Sequence, residues 1–225
     1  MTYMSDNKKE YELKIVKRSV KYARICIKQD MTVSVTVPHR YSQLQIRDLI
    51  DKKSGWINKH IEKLKSRSES IPKPDENSVL YFGEIYKVEY SGRGRNAFIV
   101  DRDNHIIYSG VSPSENILFE NLLRNQARLV IEDKLRVFSM IYSFSYNRVF
   151  IKAQKTRWGS CSSRMNLSFN WKLIHAPESA IEYVVIHELV HTKIPNHSKE
   201  FYVRVEEIFP EWKTARKWLR SFSLT

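Results

Sequence analysis

Residues 183–191 read Tyr-Val-Val-Ile-His-Glu-Leu-Val-His, and this stretch decides the architecture of the second half of the chain. Pro177 suits the first turn of a helix, and apolar residues recur after it at helical spacing. They are Ile181, Val184, Val185, Leu189 and Ile194. The pattern predicts a helix with one apolar side. His187 and His191 lie on the other side, where residues four apart are neighbours.

A histidine pair at this spacing can present two imidazoles to one metal ion. Glu188 follows His187 directly, which places a carboxylate beside water held at the same ion. Zinc in a hydrolytic site takes three protein ligands and keeps one position for water. We therefore expect Zn²⁺ as the cofactor, His187 and His191 as two of its ligands, and Glu188 as a catalytic general base.

The third ligand has two sets of candidates. His197 follows His191 by six residues, and Pro195-Asn196 is a turn signal that brings the chain back towards the helix. The alternative is a glutamate on the following helix, Glu206 or Glu207. The His191–His197 interval equals that of the long metzincin motif. Ile194 replaces the motif's glycine, however, and no methionine follows His197, so a true metzincin is disfavoured.

A second unusual string is Arg157-Trp158-Gly159-Ser160-Cys161. Arg157 is a candidate to stabilise an oxyanion, Trp158 to wall a cleft, and Gly159 to let the backbone approach a ligand. A packed loop around a buried tryptophan is an equally good interpretation. Cys161 is disfavoured as a nucleophile because activated water already supplies one.

The rest of the chain predicts an α+β fold. Alternating apolar residues predict a hairpin over 23–27 and 33–37, and helical spacing predicts a helix over 46–64 that covers it. Residues 66–78 are the best linker candidate. Further elements are strands over 79–90, 96–108, 149–151 and 167–169, and a helix over 114–142. We assign 1–110 to a β-rich N-terminal part with a packed helix and 111–225 to a zincin-like catalytic domain.

The cysteine content and the distribution of apolar residues predict the compartment of the protein. The chain has two cysteines, Cys26 and Cys161, with no Cys-x-x-Cys spacing, so disulfides and a thiolate zinc site are not expected. Its first thirty residues contain no apolar signal region, and no uncharged run is long enough to span a bilayer. These features predict a cytoplasmic protein without a membrane partner.

The formal charge of +13 is compatible with a polyanionic partner. Residues 1–110 hold 21 Lys+Arg against 14 Asp+Glu, which leaves +7 there and +6 in residues 111–225. The excess is spread out and there is no basic tail. Binding to nucleic acid therefore stands as one alternative, and a solubilising surface charge as the other.

Five segments carry a family resemblance. They look like the YgjP-type zinc metallopeptidases and are residues 156–162 (Thr-Arg-Trp-Gly-Ser-Cys-Ser), 167–174 (Leu-Ser-Phe-Asn-Trp-Lys-Leu-Ile), 176–177 (Ala-Pro), 183–191 and 196–201 (Asn-His-Ser-Lys-Glu-Phe). The resemblance implies a zincin domain related to the SprT group, with His187, His191 and His197 on zinc and Glu188 as general base. It also implies a metal-dependent hydrolase or peptidase, but the family does not settle the substrate. We predict a peptide or protein substrate.

Two other functions remain open. SprT-type relatives include proteases that act on DNA-attached proteins, so a DNA-associated protease or DNA-binding protein is an alternative by analogy. A closed structural zinc site is disfavoured, because such sites are usually thiolate-rich. A zinc-dependent hydrolase of a small amide is the other alternative.

Overall fold

The computed structural model describes residues 11–28, 30–69, 71–222 and 224. They form two compact units, which divide between residues 70 and 71. The division falls inside the predicted linker 66–78. The first residues of that linker, up to Glu69, still belong to a helix. Ser70 lies outside the described residues. It comes earlier in the chain than the predicted 110/111 boundary, because Val79, Tyr81, Tyr86 and Ile107 share one core with the later helices.

The first unit is a three-stranded sheet with one long helix. Its elements are β1 (Leu13–Arg18), β2 (Arg24–Ile27), β3 (Val33–Pro38) and α1 (Gln43–Glu69). The predicted hairpin is β2 and β3, which pair antiparallel, and β1 adds to β3 in parallel. Val33, Val35 and Val37 on β3 are fully buried against a stripe of isoleucines on α1, Ile46, Ile50, Ile57 and Ile61. The pattern did not predict β1, because the alternation Leu13-Lys14-Ile15 breaks at Val16-Lys17.

The second unit opens with a four-stranded sheet of order β4-β5-β7-β6. Its strands are β4 (Ser78–Tyr81), β5 (Glu84–Tyr90), β6 (Phe98–Asp101) and β7 (Ile106–Ser109). The prediction of two long strands over 79–90 and 96–108 is wrong in one respect. Each of these stretches forms two strands that are separated by a tight turn. Phe82 and Gly83 take positive φ in the first turn, and His105 does so in the second.

The remaining elements of the second unit hold the histidine motif. They are α2 (Asn116–Tyr142), β8 (Val149–Lys152), β9 (Gly159–Cys161), β10 (Leu167–Asn170), a 3₁₀ helix (Trp171–His175), α3 (Glu178–Val190), α4 (Lys199–Ile208) and α5 (Trp212–Leu219). The second sheet has the order β8-β10-β9. β9 is a correction to the predicted polar loop, since residues 159–161 pair antiparallel with β10.

The mixture of sheets and helices confirms the predicted α+β class, with a β-rich first part followed by helices. Within the described residues, no helix has both the length and the apolar character needed to cross a bilayer.

The turn at Phe82-Gly83 fixes where α3 begins. Phe82 N donates to the carbonyl of Ile174 at 2.9 Å, and Gly83 N donates to that of His175 at 3.1 Å. Gly83 has φ +85°, and a Cβ there would lie 2.7 Å from Cγ of Pro177, the residue that precedes α3. A side chain at this position is therefore excluded both by conformation and by space.

Gly83→Ala should lower the free energy of unfolding of the second unit by about 2 kcal/mol or more, from strain at positive φ and the clash with Pro177. Gly55→Ala in the middle of α1 is the matched control, because a Cβ there meets nothing within 4 Å. It should raise stability by about 0.5–1 kcal/mol. Denaturant unfolding measures both changes, and equal stability of Gly83→Ala and wild type would contradict the account.

Candidate active site

α3 carries the histidine motif through the middle of the second unit. Pro177 stands at its N-cap, and Lys134 on α2 holds its first turns by ion pairs to Glu178 and Glu182 at 2.7 and 2.8 Å. The sequence predicts one apolar side for this helix, but the helix is buried on nearly all sides. The motif is therefore set in the packed interior, where side-chain positions are well defined.

Three imidazoles converge at the end of this helix. Nε2 of His197 lies 3.0 Å from Nε2 of His187 and 3.2 Å from Nε2 of His191. Among the residues that the structure describes, these three side chains form a group able to hold one metal ion, with ligand atoms within 4.8 Å of one another. The geometry thus brings together all three histidines predicted from the sequence.

The protonation of the rings suits a cation. Burial, followed by the neighbouring imidazoles and Arg216, lowers the pKa of His187 to about 3. Burial also lowers the pKa of His191. Nδ1 of His191 lies 3.1 Å from the carbonyl oxygen of Ile194, which can only accept, so Nδ1 carries the proton and Nε2 keeps its lone pair. Neutral imidazoles with converging lone pairs are the donor set that a divalent metal takes.

Phe201 on α4 supports all three rings. It is fully buried, and its ring centroid lies 4.8 Å from His187, 4.4 Å from His191 and 5.0 Å from His197. Ser198 caps α4 by accepting a hydrogen bond from Phe201 N at 3.3 Å. Because the cap directly follows His197, the same local signal that starts α4 also sets the position of this histidine.

Glu206 and Glu207, the alternative third ligands, are engaged elsewhere. Glu206 pairs with Lys213 at 3.0 Å, and Glu207 pairs with Arg204 at 2.9 Å. Neither belongs to the converging group found among the described residues. The geometry therefore favours His197 over either glutamate.

Glu188 is 5% exposed, next to the histidines, and lies against β9. Burial raises its pKa to about 8, although Arg157 acts in the opposite direction. Its Oε2 is buried and has no hydrogen-bond partner within the described part of the chain. A desolvated carboxylate oxygen without a partner is costly in a protein interior, so it is suited to accept a proton in a reaction.

Gly159 explains how the carboxylate of Glu188 fits. A Cβ at this glycine would lie 2.5 Å from Oε1 and 2.8 Å from Cγ of Glu188. The sequence suggested that Gly159 lets the backbone approach a ligand. What it lies against in the structure is the side chain of Glu188.

The other residues of the string 157–161 are placed around this contact. Buried Asn170 holds the preceding loop by donating to the carbonyls of Gln154 at 2.6 Å and Arg157 at 3.4 Å. Trp158 donates from its indole N–H to the Leu219 carbonyl at 3.2 Å, which ties the loop to α5. Burial and Glu188 both raise the pKa of Cys161, so its thiol is a poor nucleophile.

Sequence reasoning missed a group of aromatic and basic residues beside the histidines. Tyr183 contacts His187 edge to face, with ring centroids 5.6 Å apart, and α5 contributes Trp212 and Arg216. Tyr183 stands four residues before His187, so helical spacing was a usable signal for it. Nothing in the local sequence marks Arg216, because α5 reaches the site through tertiary packing.

A buried helix with His-Glu-x-x-His, a third converging histidine and an embedded glutamate are features of the metallopeptidase class. The sequence matches the family model described as "YgjP-like, metallopeptidase domain" over residues 21–222. The chain belongs to the YgjP-like metallopeptidase family. Membership implies a metal-dependent peptidase, in agreement with the three-histidine group.

Two of the solved structures that are similar to the chain are metallopeptidase zymogens. Abylysin of Pyrococcus abyssi is 26% identical, with a TM-score of 0.38 over 40% of this chain and 92% of that one. Jannalysin of Methanocaldococcus jannaschii is 23% identical, with a TM-score of 0.35 over 40% of this chain and 91% of that one. A search of curated proteins found no match.

Gly159→Ala should displace the carboxylate of Glu188 and lower peptidase activity about ten-fold or more, because misplacement by about 1 Å is enough to cost reactivity. The atoms nearest to a Cβ at Gly159 all belong to Glu188 and none to a histidine, so metal content should stay at the wild-type level. Elemental analysis and cleavage of an unfolded protein substrate measure the two effects, with Gly55→Ala as the matched control. Wild-type activity in Gly159→Ala would contradict this role.

Proposed function

We propose that the protein is a zinc-dependent peptidase in which His187, His191 and His197 bind the metal and Glu188 is the general base. The observation that carries the proposal is the convergence of three Nε2 atoms, 3.0 and 3.2 Å apart, beside a buried glutamate. Zinc held by these imidazoles would supply the Lewis acid that makes water nucleophilic and polarises a peptide carbonyl.

Glu188 would carry the proton between the attacking water and the leaving amine. Glu188 accepts the proton that the attacking water loses, on the buried oxygen that has no other partner among the described residues. It then returns the proton to the leaving amine nitrogen. Arg157 remains our candidate for holding the oxyanion. Its charge already acts on Glu188, which supports a position near the reacting groups.

β9 supports an extended peptide as the substrate. It is one of the two edge strands of its sheet, and Gly159 at its start lies against Glu188. The backbone groups on its outer side pair with no other strand in the described residues. A peptide can add to such an edge as a further strand, which places its backbone beside the catalytic carboxylate. This arrangement favours a peptide over a small amide.

Two variants separate metal binding from chemistry. His197→Ala should lose the metal, because removal of one of three ligands weakens binding steeply. Glu188→Gln should keep the metal and the fold but lose about 100- to 10,000-fold in rate, since an amide cannot accept the proton. Metal content is read by elemental analysis and rate by peptide cleavage. Full metal occupancy in His197→Ala, or wild-type cleavage by Glu188→Gln, would sink the corresponding assignment.

We further propose nucleic acid as a second ligand, bound by the first unit. With the boundary at residue 70, residues 1–70 hold 16 Lys+Arg against 8 Asp+Glu, which is eight of the thirteen excess charges in less than a third of the chain. Helix α1 displays Trp56, 44% exposed and 4.2 Å from the ring of His60, beside Lys52, Lys59 and Lys63. Aromatic faces interleaved with lysines suit the bases and phosphates of a single strand.

Replacing Lys52, Lys59 and Lys63 together by Gln should weaken binding of a labelled single-stranded oligonucleotide. The slope of log K against log salt should fall by about two, since each phosphate contact on a single strand contributes about 0.7. Lys73, Lys155 and Lys199 replaced by Gln form the matched control, because they remove the same charge from the second unit. Fluorescence anisotropy measures both. Equal losses in the two variants would show that net charge alone acts.

A further inference from the structure

Arg216 on α5 is a half-buried arginine held against two aromatic rings. Its guanidinium carbon lies 5.6 Å from the ring centroid of Tyr202 and 5.7 Å from that of Trp212. The two rings are themselves stacked, with centroids 5.1 Å apart. Cation–π contacts of this kind fix the plane and position of a guanidinium in a way that a solvated surface arginine lacks.

The same rings connect Arg216 to the histidine group. Trp212 stacks on Tyr183 with centroids 6.2 Å apart, and Tyr183 contacts His187 at 5.6 Å. On the other side, Tyr202 lies 6.1 Å from His197. The aromatic rings thus form a continuous layer from two of the histidines to Arg216, which fixes the arginine relative to the proposed reacting centre.

No carboxylate of the described residues forms an ion pair with Arg216. Two glutamates of α4 form ion pairs with other residues, Glu206 with Lys213 and Glu207 with Arg204. A fixed, half-buried guanidinium without a carboxylate partner is suited to bind an anion.

We propose that Arg216 binds a carboxylate of the peptide substrate and makes the enzyme prefer peptides with a negative charge near the cleaved bond. This inference rests on the proposed peptidase function. The planar fork of arginine matches a carboxylate in bidentate fashion, which gives both affinity and orientation. The carboxylate comes either from the free C-terminus of a short peptide or from an Asp or Glu side chain.

The test uses three fluorescent peptides of one neutral core sequence: one with a free C-terminal carboxylate, one amidated, and one amidated with a glutamate beside the expected cleavage position. For wild type, dissociation constants by anisotropy and kcat/KM are measured for each. We expect at least one anionic peptide to be preferred over the neutral one by about ten-fold, the usual size of one charge-assisted contact. The anionic peptide that shows the preference identifies the source of the carboxylate.

Arg216→Met keeps much of the aliphatic stem but removes the charge, so it should abolish the preference by weakening the anionic peptide about ten-fold more than the neutral one. Lys217→Met, which removes the same charge from the neighbouring exposed position, should retain it. Arg216→Lys keeps the charge and should preserve part of the preference, which keeps the test valid if Arg216→Met folds poorly.

The outcomes separate this inference from the peptidase proposal. Absence of any preference in wild type, or equal loss on neutral and anionic peptides in Arg216→Met, would overturn the carboxylate site. The second result would instead assign Arg216 to the oxyanion or to packing. If wild type binds the anionic peptide through Arg216 but cleaves none of the peptides, the peptidase proposal fails and the binding site stands.

Discussion

The convergence of three imidazole Nε2 atoms on one point is the constraint on which the second unit depends. Nε2 of His197 lies 3.0 Å from that of His187 and 3.2 Å from that of His191, an arrangement that the surrounding groups must hold. Protonation of His187 is opposed, since a charged imidazole in this buried position would lose solvation beside two other rings. Three features hold the histidine rings in place. They are the nearly completely buried helix α3, the ring of Phe201 and the Ser198 cap of α4.

The proposed metal site also needs a base that is close but does not ligate, and the sheet β8-β10-β9 positions Glu188, the residue proposed for that role. β10 carries Asn170, which shapes the loop before β9, and β9 brings Gly159 against Glu188. Because Gly159 has no side chain, the space beside it is open to the carboxylate of Glu188. The carboxylate of Glu188 is thus positioned by β9 as well as by the helix that carries it, which couples the edge of the sheet to the histidines.

Local sequence patterns predicted the features that depend on local physics. Helical spacing gave α3 and its histidine pair, and the turn at Pro195-Asn196 with its six-residue interval gave His197. Features set by distant packing were not accessible. The turns that break the predicted strands at Phe82-Gly83 and His105 depend on positive φ at non-glycine residues as well as at glycine. Arg216 reaches the site because α5 packs there. The 110/111 boundary divided a continuous apolar core that no local pattern reveals.

The open side of β9 has a consequence for the behaviour of the protein in concentrated solution. A strand edge that can accept a peptide can equally accept the edge of another copy, and exposed edges of this kind promote aggregation. Three features limit the hazard here: β9 spans three residues, it contains Gly159 and Ser160 in place of large apolar side chains, and the exposed charges of Lys155 and Arg157 precede it. An extension of β9 by apolar residues would lengthen the surface for self-association.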